Sequence, residues 1–201
     1  MRFALTIMIL VELLLWSDAI GAEPAARAKG ADWPCFLGPT GDSRSTETGL
    51  ITKWSDGGLQ VLWQRRLGES YGIGSVNQGK FYQFDRYGSQ ARLTCWQAQT
   101  GRELWKSEYA TEYEDMYGYN GGPRCSPLIE GDRVYLFGVE GRLHCVSAVD
   151  GQHLWTVDTA QKFGVVQNFF GVASNPVIEG KLLLVMVGGS PASSQRLPRG
   201  Q

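Results

Sequence analysis

Three segments concentrate side chains suited to holding a ligand. They are Ser70-Tyr71-Gly72-Ile73-Gly74, then Tyr117-Gly118-Tyr119-Asn120-Gly121-Gly122-Pro123-Arg124, then Val166-Gln167-Asn168-Phe169-Phe170. Tyr71, Tyr117, Tyr119, Asn120, Gln167 and Asn168 offer hydrogen bonds, Arg124 presents a fork matched to a carboxylate, and the glycines let a backbone come close. Around the second segment the chain is acidic: Glu108, Glu112, Glu114 and Asp115 are interleaved with Tyr109, Tyr113, Tyr117 and Tyr119. Such a run reads either as a cation or sugar site, or as a solvated loop whose rings only pack.

Catalytic chemistry is less legible. His144 and His153 have no Ser or Cys nucleophile placed by spacing. Gly-x-Ser-x-Gly, a Walker loop, His-Glu-x-x-His and a dinucleotide fingerprint are all missing from the sequence. Asp85-Arg86, after Phe84, reads as a local ion pair on a loop. Cys35, Cys95, Cys125 and Cys145 include no CxxC, no adjacent pair and no CxxCH, so zinc clusters, dithiol redox chemistry and covalent haem lack their ligands. Four cysteines in an exported chain permit disulfides, with three pairings open. No catalytic residue and no metal ligand is assigned.

Composition sets the frame for these groups. The chain has 201 residues, 43% hydrophobic and 19% charged, as in ordinary globular proteins. Gly is the outlier at 26 residues, close to twice ordinary usage, which predicts many tight turns. A net charge of −1 argues against nucleic acid or an anionic membrane as partner. At the start, Arg2 precedes an apolar run from Phe3 to Trp16, followed by Ala19, Gly21 and Ala22. This is the layout of a signal peptide over residues 1–22, too short for a transmembrane span, and it predicts export to the periplasm or beyond.

The elements that must position the three segments come from an internal repeat. Arg92-Leu93-Thr94-Cys95-Trp96-Gln97-Ala98-Gln99-Thr100-Gly101-Arg102-Glu103-Leu104-Trp105 lies over Arg142 to Trp155, with Arg, Leu, Cys, Ala, Gly, Leu and Trp in register. Ser126-Pro127-Leu128-Ile129-Glu130-Gly131 returns as Asn175-Pro176-Val177-Ile178-Glu179-Gly180, with a fainter copy at Ser75 to Lys80. Each unit reads as four short strands. In the second they are Cys125–Ile129, Arg133–Phe137, Leu143–Ser147 and His153–Val157, with Asp150-Gly151 as a hairpin turn. The alternation of Arg133–Phe137 predicts one buried face, and on the third strand Cys145 is expected inward and His144 outward.

Repeating four-stranded antiparallel units predict an all-β fold, a partial β-propeller with about two and a half blades. A leading strand is expected at Val61–Leu67. Trp105 and Trp155 read as anchors between blades, with Gly101 and Gly151 in the matching turns, and Cys95 and Cys145 as small buried residues. The three ligand-holding segments each precede a first strand, where they would line the mouth of a central channel. The chain then divides into the signal at 1–22, an extended segment at 23–60, propeller repeats at 61–189 and an unstructured tail at 190–201. Too few blades for a closed ring predict a piece of a longer propeller, with open sheet edges that favour self-association.

Ala98 to Trp105 and Ala148 to Trp155 resemble the repeat of the pyrroloquinoline-quinone-like (quinoprotein alcohol dehydrogenase-like) β-propeller family. Asp32-Trp33-Pro34-Cys35-Phe36-Leu37-Gly38-Pro39 is similar to the opening of a secreted bacterial branch. The resemblance implies one of two functions. One is a non-catalytic scaffold that binds a protein or polymer ligand at the channel mouth. The other is part of a dehydrogenase for alcohols or polyvinyl alcohol that uses pyrroloquinoline quinone and Ca²⁺. The residues themselves assign no cofactor, and the vicinal disulfide of the dehydrogenases has no counterpart here.

Overall fold

The computed structural model of the chain describes residues 30–166 and 170–191. The expected signal segment, the tail beyond residue 191, Gln167 and Asn168 lie outside the described residues. Two four-stranded antiparallel sheets follow one another, each in chain order. The first holds β1 (Ser75–Asn77), β2 (Lys80–Tyr87), β3 (Gln90–Gln97) and β4 (Glu103–Ala110). The second holds β5 (Leu128–Glu130), β6 (Arg133–Phe137), β7 (Arg142–Ser147) and β8 (His153–Asp158). A five-residue helix, α1 (Thr159–Phe163), follows, capped by the Asp158 side chain. After β9 (Val165–Val166), a third sheet begins with the hairpin β10 (Val177–Glu179) and β11 (Leu182–Leu184), and β12 (Ser190–Pro191) pairs back with β9.

Local chemistry sets these boundaries. Gln78 and Gly79 both have positive φ, at 49° and 72°, between the paired residues Asn77 and Lys80. That is the two-residue turn whose twist suits a hairpin. The first strand of the second sheet is shorter than its apolar run, starting at Leu128 because Pro127 brings no N–H to the ladder.

In both sheets the register slips at the same repeat position. Cys95 faces Trp105 but Trp96 faces Glu103, and Cys145 faces Trp155 but Val146 faces His153. The bulges skip Leu104 and Leu154, and they aim the two indoles along the sheet normal.

That aim matters at the seam between sheets. The Trp105 ring lies against Gly151, where a Cβ would sit 2.4 Å from Cε3. Trp63 does the same one sheet earlier, against Gly101, and its Nε1–H donates to the Ala98 carbonyl at 2.8 Å. Each glycine has positive φ, 65° at Gly101 and 75° at Gly151. Around the second lock, Tyr82, Phe84, Leu93 and Cys95 of the first sheet meet Ile129, Val134, Leu136 and Val146 of the second. The other face of the second sheet buries Leu128, Tyr135 and Cys145 with Trp155, Ile178 and Leu183.

Several expectations are corrected here. Residues 61–67 form no strand; Trp63 is held by its ring, and pairing starts only at the bridge between Glu69 and Arg86. The strand β6 is buried on both faces, and so is His144, at 5% exposed. A blade sandwiched between neighbours has no solvent side for its middle strands, so the alternation marks two different neighbours rather than inside and outside. Asp85 and Arg86 sit in β2, not on a loop, and they do not pair with each other. The partner of Asp85 is Arg92, with Nε and Nη2 each 3.1 Å from a carboxylate oxygen.

Residues 32–38 strap the inner edges of both sheets. Trp33 exchanges two backbone hydrogen bonds with Val76 of β1, at 2.8 and 2.9 Å, and the Pro34 carbonyl accepts from Ile129 N–H of β5 at 2.8 Å. The Asp32 carboxylate accepts from Gln78 N–H, and Cys35 packs on the cluster of Leu128, Tyr135 and Cys145. Gly38 closes the turn with φ 77°, and a Cβ there would lie 2.8 Å from the Trp33 indole.

Candidate channel-mouth site

The segments leading into β1 and β5 lie side by side. Tyr71 N–H donates to the Pro123 carbonyl at 2.9 Å, and Ile73 N–H to the Ser126 hydroxyl at 3.1 Å. The approach is close enough to demand glycine. A Cβ on Gly122 would sit 2.0 Å from the Glu69 carbonyl oxygen, and one on Gly72 would sit 2.3 Å from that of Cys125. Asn120 folds the second segment through its side chain, whose oxygen accepts from Gly122 N–H at 2.8 Å.

Two arginines organise the connection from β4 to β5. Arg86 donates through Nε to the Gly88 carbonyl at 2.6 Å and through Nη1 to the carbonyls of Gly121, at 2.9 Å, and Tyr113. Beside it, a carboxylate oxygen of Glu69 accepts from Gly121 N–H at 2.8 Å. Arg124 donates to Asp115 at 3.3 Å and to the Gly122 carbonyl, with its guanidinium over Tyr71 and Tyr113 at 5.2 and 5.3 Å from the ring centres. The Arg124 and Asp115 side chains are 9% and 3% exposed. The carboxylate that the Arg124 fork suits is therefore already supplied from within the loop. The sequence reading paired Arg86 with Asp85 instead, because backbone carbonyls, its actual partners, leave no mark in a sequence.

Outside this buried frame the rings are open. Tyr71, Tyr117 and Tyr119 are 59%, 57% and 74% exposed. Tyr117 stacks on Tyr119 at 5.7 Å between ring centres and meets Phe170 at 5.8 Å. Under the loop lies a cavity of about 370 Å³ lined by Glu69, Arg86, Tyr113, Glu114, Asp115 and Asn120. The structure thus brings Tyr71, Tyr117, Tyr119, Asn120 and Arg124 together on the two adjoining segments that enter β1 and β5. Gln167 and Asn168 lie outside the described residues.

A second cavity, about 260 Å³, opens on the seam between the two sheets beside Glu108, Tyr109, His144, His153 and Thr156. Thr156 Oγ1 lies 2.8 Å from His144 Nδ1 and 2.7 Å from His153 Nε2. One hydroxyl hydrogen serves only one of these nitrogens, so one imidazole donates and the other accepts. Tyr109 covers His144 at 4.0 Å between ring centres. Burial, then the neighbouring His153 and Arg142, push the His144 pKa down to about 4. At neutral pH it is an uncharged seam residue.

The three buried thiols, Cys95, Cys125 and Cys145, are equally quiet. All four cysteines are free, and burial pushes Cys95 up to about 11 and Cys125 up to about 12. A nucleophilic thiolate needs the opposite shift. A Ca²⁺ site needs six to eight oxygens, several of them carboxylates. Among the described residues no three His, Cys, Asp or Glu side chains gather in a metal-holding group, and Asp115 is committed to Arg124. The described residues do not fit a quinone–Ca²⁺ centre.

Residues 48–197 match a family model described as outer membrane protein assembly factor BamB. No curated protein matches the chain. Among solved structures, the chain is similar to BamB from Moraxella catarrhalis, at 22% identity and TM-score 0.33, over 46% of this chain and 23% of that one. It is similar to the quinohemoprotein alcohol dehydrogenase ADHIIG from Pseudomonas putida HK5, at 19% and 0.42, over 60% and 17%. The quinohemoprotein alcohol dehydrogenase from Comamonas testosteroni gives 18% and 0.43, over 61% and 17%. The chain spans less than a quarter of the length of each.

Proposed function

Because the chain belongs to the pyrroloquinoline-quinone-like β-propeller family, we propose that it is an exported, non-catalytic binding module whose channel-mouth loops take a protein or polymer ligand. The observation that carries this reading is the presentation of Tyr71 and Tyr119 on two adjoining loops held by Arg86 and Arg124. Large, stiff rings on an ordered loop lose little freedom when a partner covers them. The description of the matching family, an assembly factor, favours a protein partner. Export rests on the layout of residues 1–22. No helix among the described residues is long and apolar enough to cross a membrane.

A photoreactive side chain placed at position 119 or 71 tests the reading in cells. It is expected to crosslink a partner, while the same group at position 102, in the turn at the opposite end of the sheet, does not. Equal labelling at 102 and 119 would contradict a mouth site. The dehydrogenase reading has its own test, titration of the purified protein with pyrroloquinoline quinone, Ca²⁺ and a primary alcohol. Retained quinone absorbance with turnover would replace the binding reading with an enzymatic one.

A further inference from the structure

We infer that residues 61–67 are a donor strand, which completes a sheet begun by the β10–β11 hairpin of a second copy of this chain. The position of Trp63 carries the first half of the argument. Its indole lies on Gly101, where a Cβ would sit 2.5 Å from Cδ2, as that of Trp105 lies on Gly151. Trp105 belongs to β4, the outermost strand of the first sheet. Trp63 therefore stands where the outer strand of a preceding sheet would stand, and residues 61–67 hold that place with no inner strands beside them. Among the described residues, no main-chain N–H or C=O of residues 61–67 bonds another main-chain atom. Val61 and Leu62 are 74% and 71% exposed.

The hairpin has the opposite deficit. Pro176 to Gly180 repeats the start of the second sheet, yet β11 has no third strand among the described residues. Its two faces differ sharply. Ile178 and Leu183, paired across the ladder, pack with Trp155, whereas Val177, Leu182 and Leu184 on the other face are exposed. One edge and one face are both open.

A second copy fills both at once. Its residues 61–67 supply main-chain donors and acceptors to the β11 edge. Its first sheet is tied to that strand through Trp63 and Gly101, so it follows as the next layer over Val177, Leu182 and Leu184. The second sheet follows the first in the same way at the Trp105 seam. The contact is head-to-tail. Each copy gives a strand at one end and a hairpin at the other, so assembly continues until a ring closes.

Sedimentation velocity on the whole chain and two variants tests this. Gln64→Pro/Leu67→Pro removes one N–H from each edge of the donor strand, and Leu182→Lys/Leu184→Lys places charge on the hairpin. All four side chains are exposed, so melting temperatures should stay close to the parent's. The parent is expected to sediment faster as concentration rises, and each variant alone to stay monomeric. An equimolar mixture is expected to form a dimer and stop there, because the lysine variant keeps an intact strand and the proline variant an intact hairpin. A proline variant that associates like the parent overturns the inference in favour of pairing between two β11 edges. A mixture or a parent that stays monomeric throughout overturns it as well. Hydrogen exchange gives a readout free of substitutions: in the parent, amides of residues 61–67 and 182–184 should slow together as concentration rises. Amides of 61–67 that stay fast while the parent associates reject the donor strand.

Discussion

At the scale of single residues, His144 has the most to say. Its folded-state pKa of about 4 lies below its ordinary 6.5, so the folded chain favours the neutral ring. The stability this represents is complete above pH 6.5 and is lost as pH falls from there toward 4, on the order of 3 kcal/mol in all. Replacing His144 by Phe keeps a ring under Tyr109 and removes the titration. Urea unfolding at pH 7 and pH 4.5 is expected to show a smaller acid loss in the variant than in the parent chain; equal losses would mean that the seam tolerates a charged imidazole. The other buried charge of the first sheet, the Asp85 carboxylate, accepts from two nitrogens of the Arg92 fork and from Gly68 N–H.

At the scale of elements, the recurring device is an indole laid on the glycine of the next sheet's turn. Comparison of two glycines isolates it. Gly131 has φ 57° and open space around its missing Cβ, so Gly131→Ala costs the left-handed backbone alone, about 1–2 kcal/mol. Gly151→Ala adds displacement of Trp105 and is expected to lower the melting temperature clearly further; equal drops would remove the lock from the account of blade packing. The strands flanking these turns were legible in the sequence, because Asp150-Gly151 and Thr100-Gly101 declare local turns and the two units repeat each other. Burial of His144 was not, since alternation reveals that two faces differ and not what covers each. The segment at 61–67 looked like a strand because its apolar residues carry strand propensity, but pairing needs a neighbour that no local pattern supplies. Of the mouth, the exposed tyrosines were legible as a cluster of types. So was Arg124 with its fork for a carboxylate, whereas the part played by Arg86 was not, because its partners are main-chain atoms.

For the whole molecule, the edge of greatest consequence is β11. Among the described residues it pairs only with β10, and Leu182 and Leu184 are exposed there. An open strand edge with apolar side chains is a template for another chain. We propose self-association through it, to be checked by sedimentation velocity over a concentration series. Sedimentation is expected to rise with concentration, and Leu182→Lys should suppress the rise; a parent chain that stays monomeric throughout rejects the idea. The strap at residues 32–38 carries a different consequence, one of timing. It leaves the ribosome ahead of both strands it will bridge, and its second anchor, Ile129, is made only after the entire first sheet. The earliest-synthesised part of this architecture is therefore among the last to settle. The closure from Pro34 to Ile129 spans far more chain than the pairing of Trp33 with Val76, so Trp33 can pair once β1 exists while Pro34 and Cys35 wait for the second sheet.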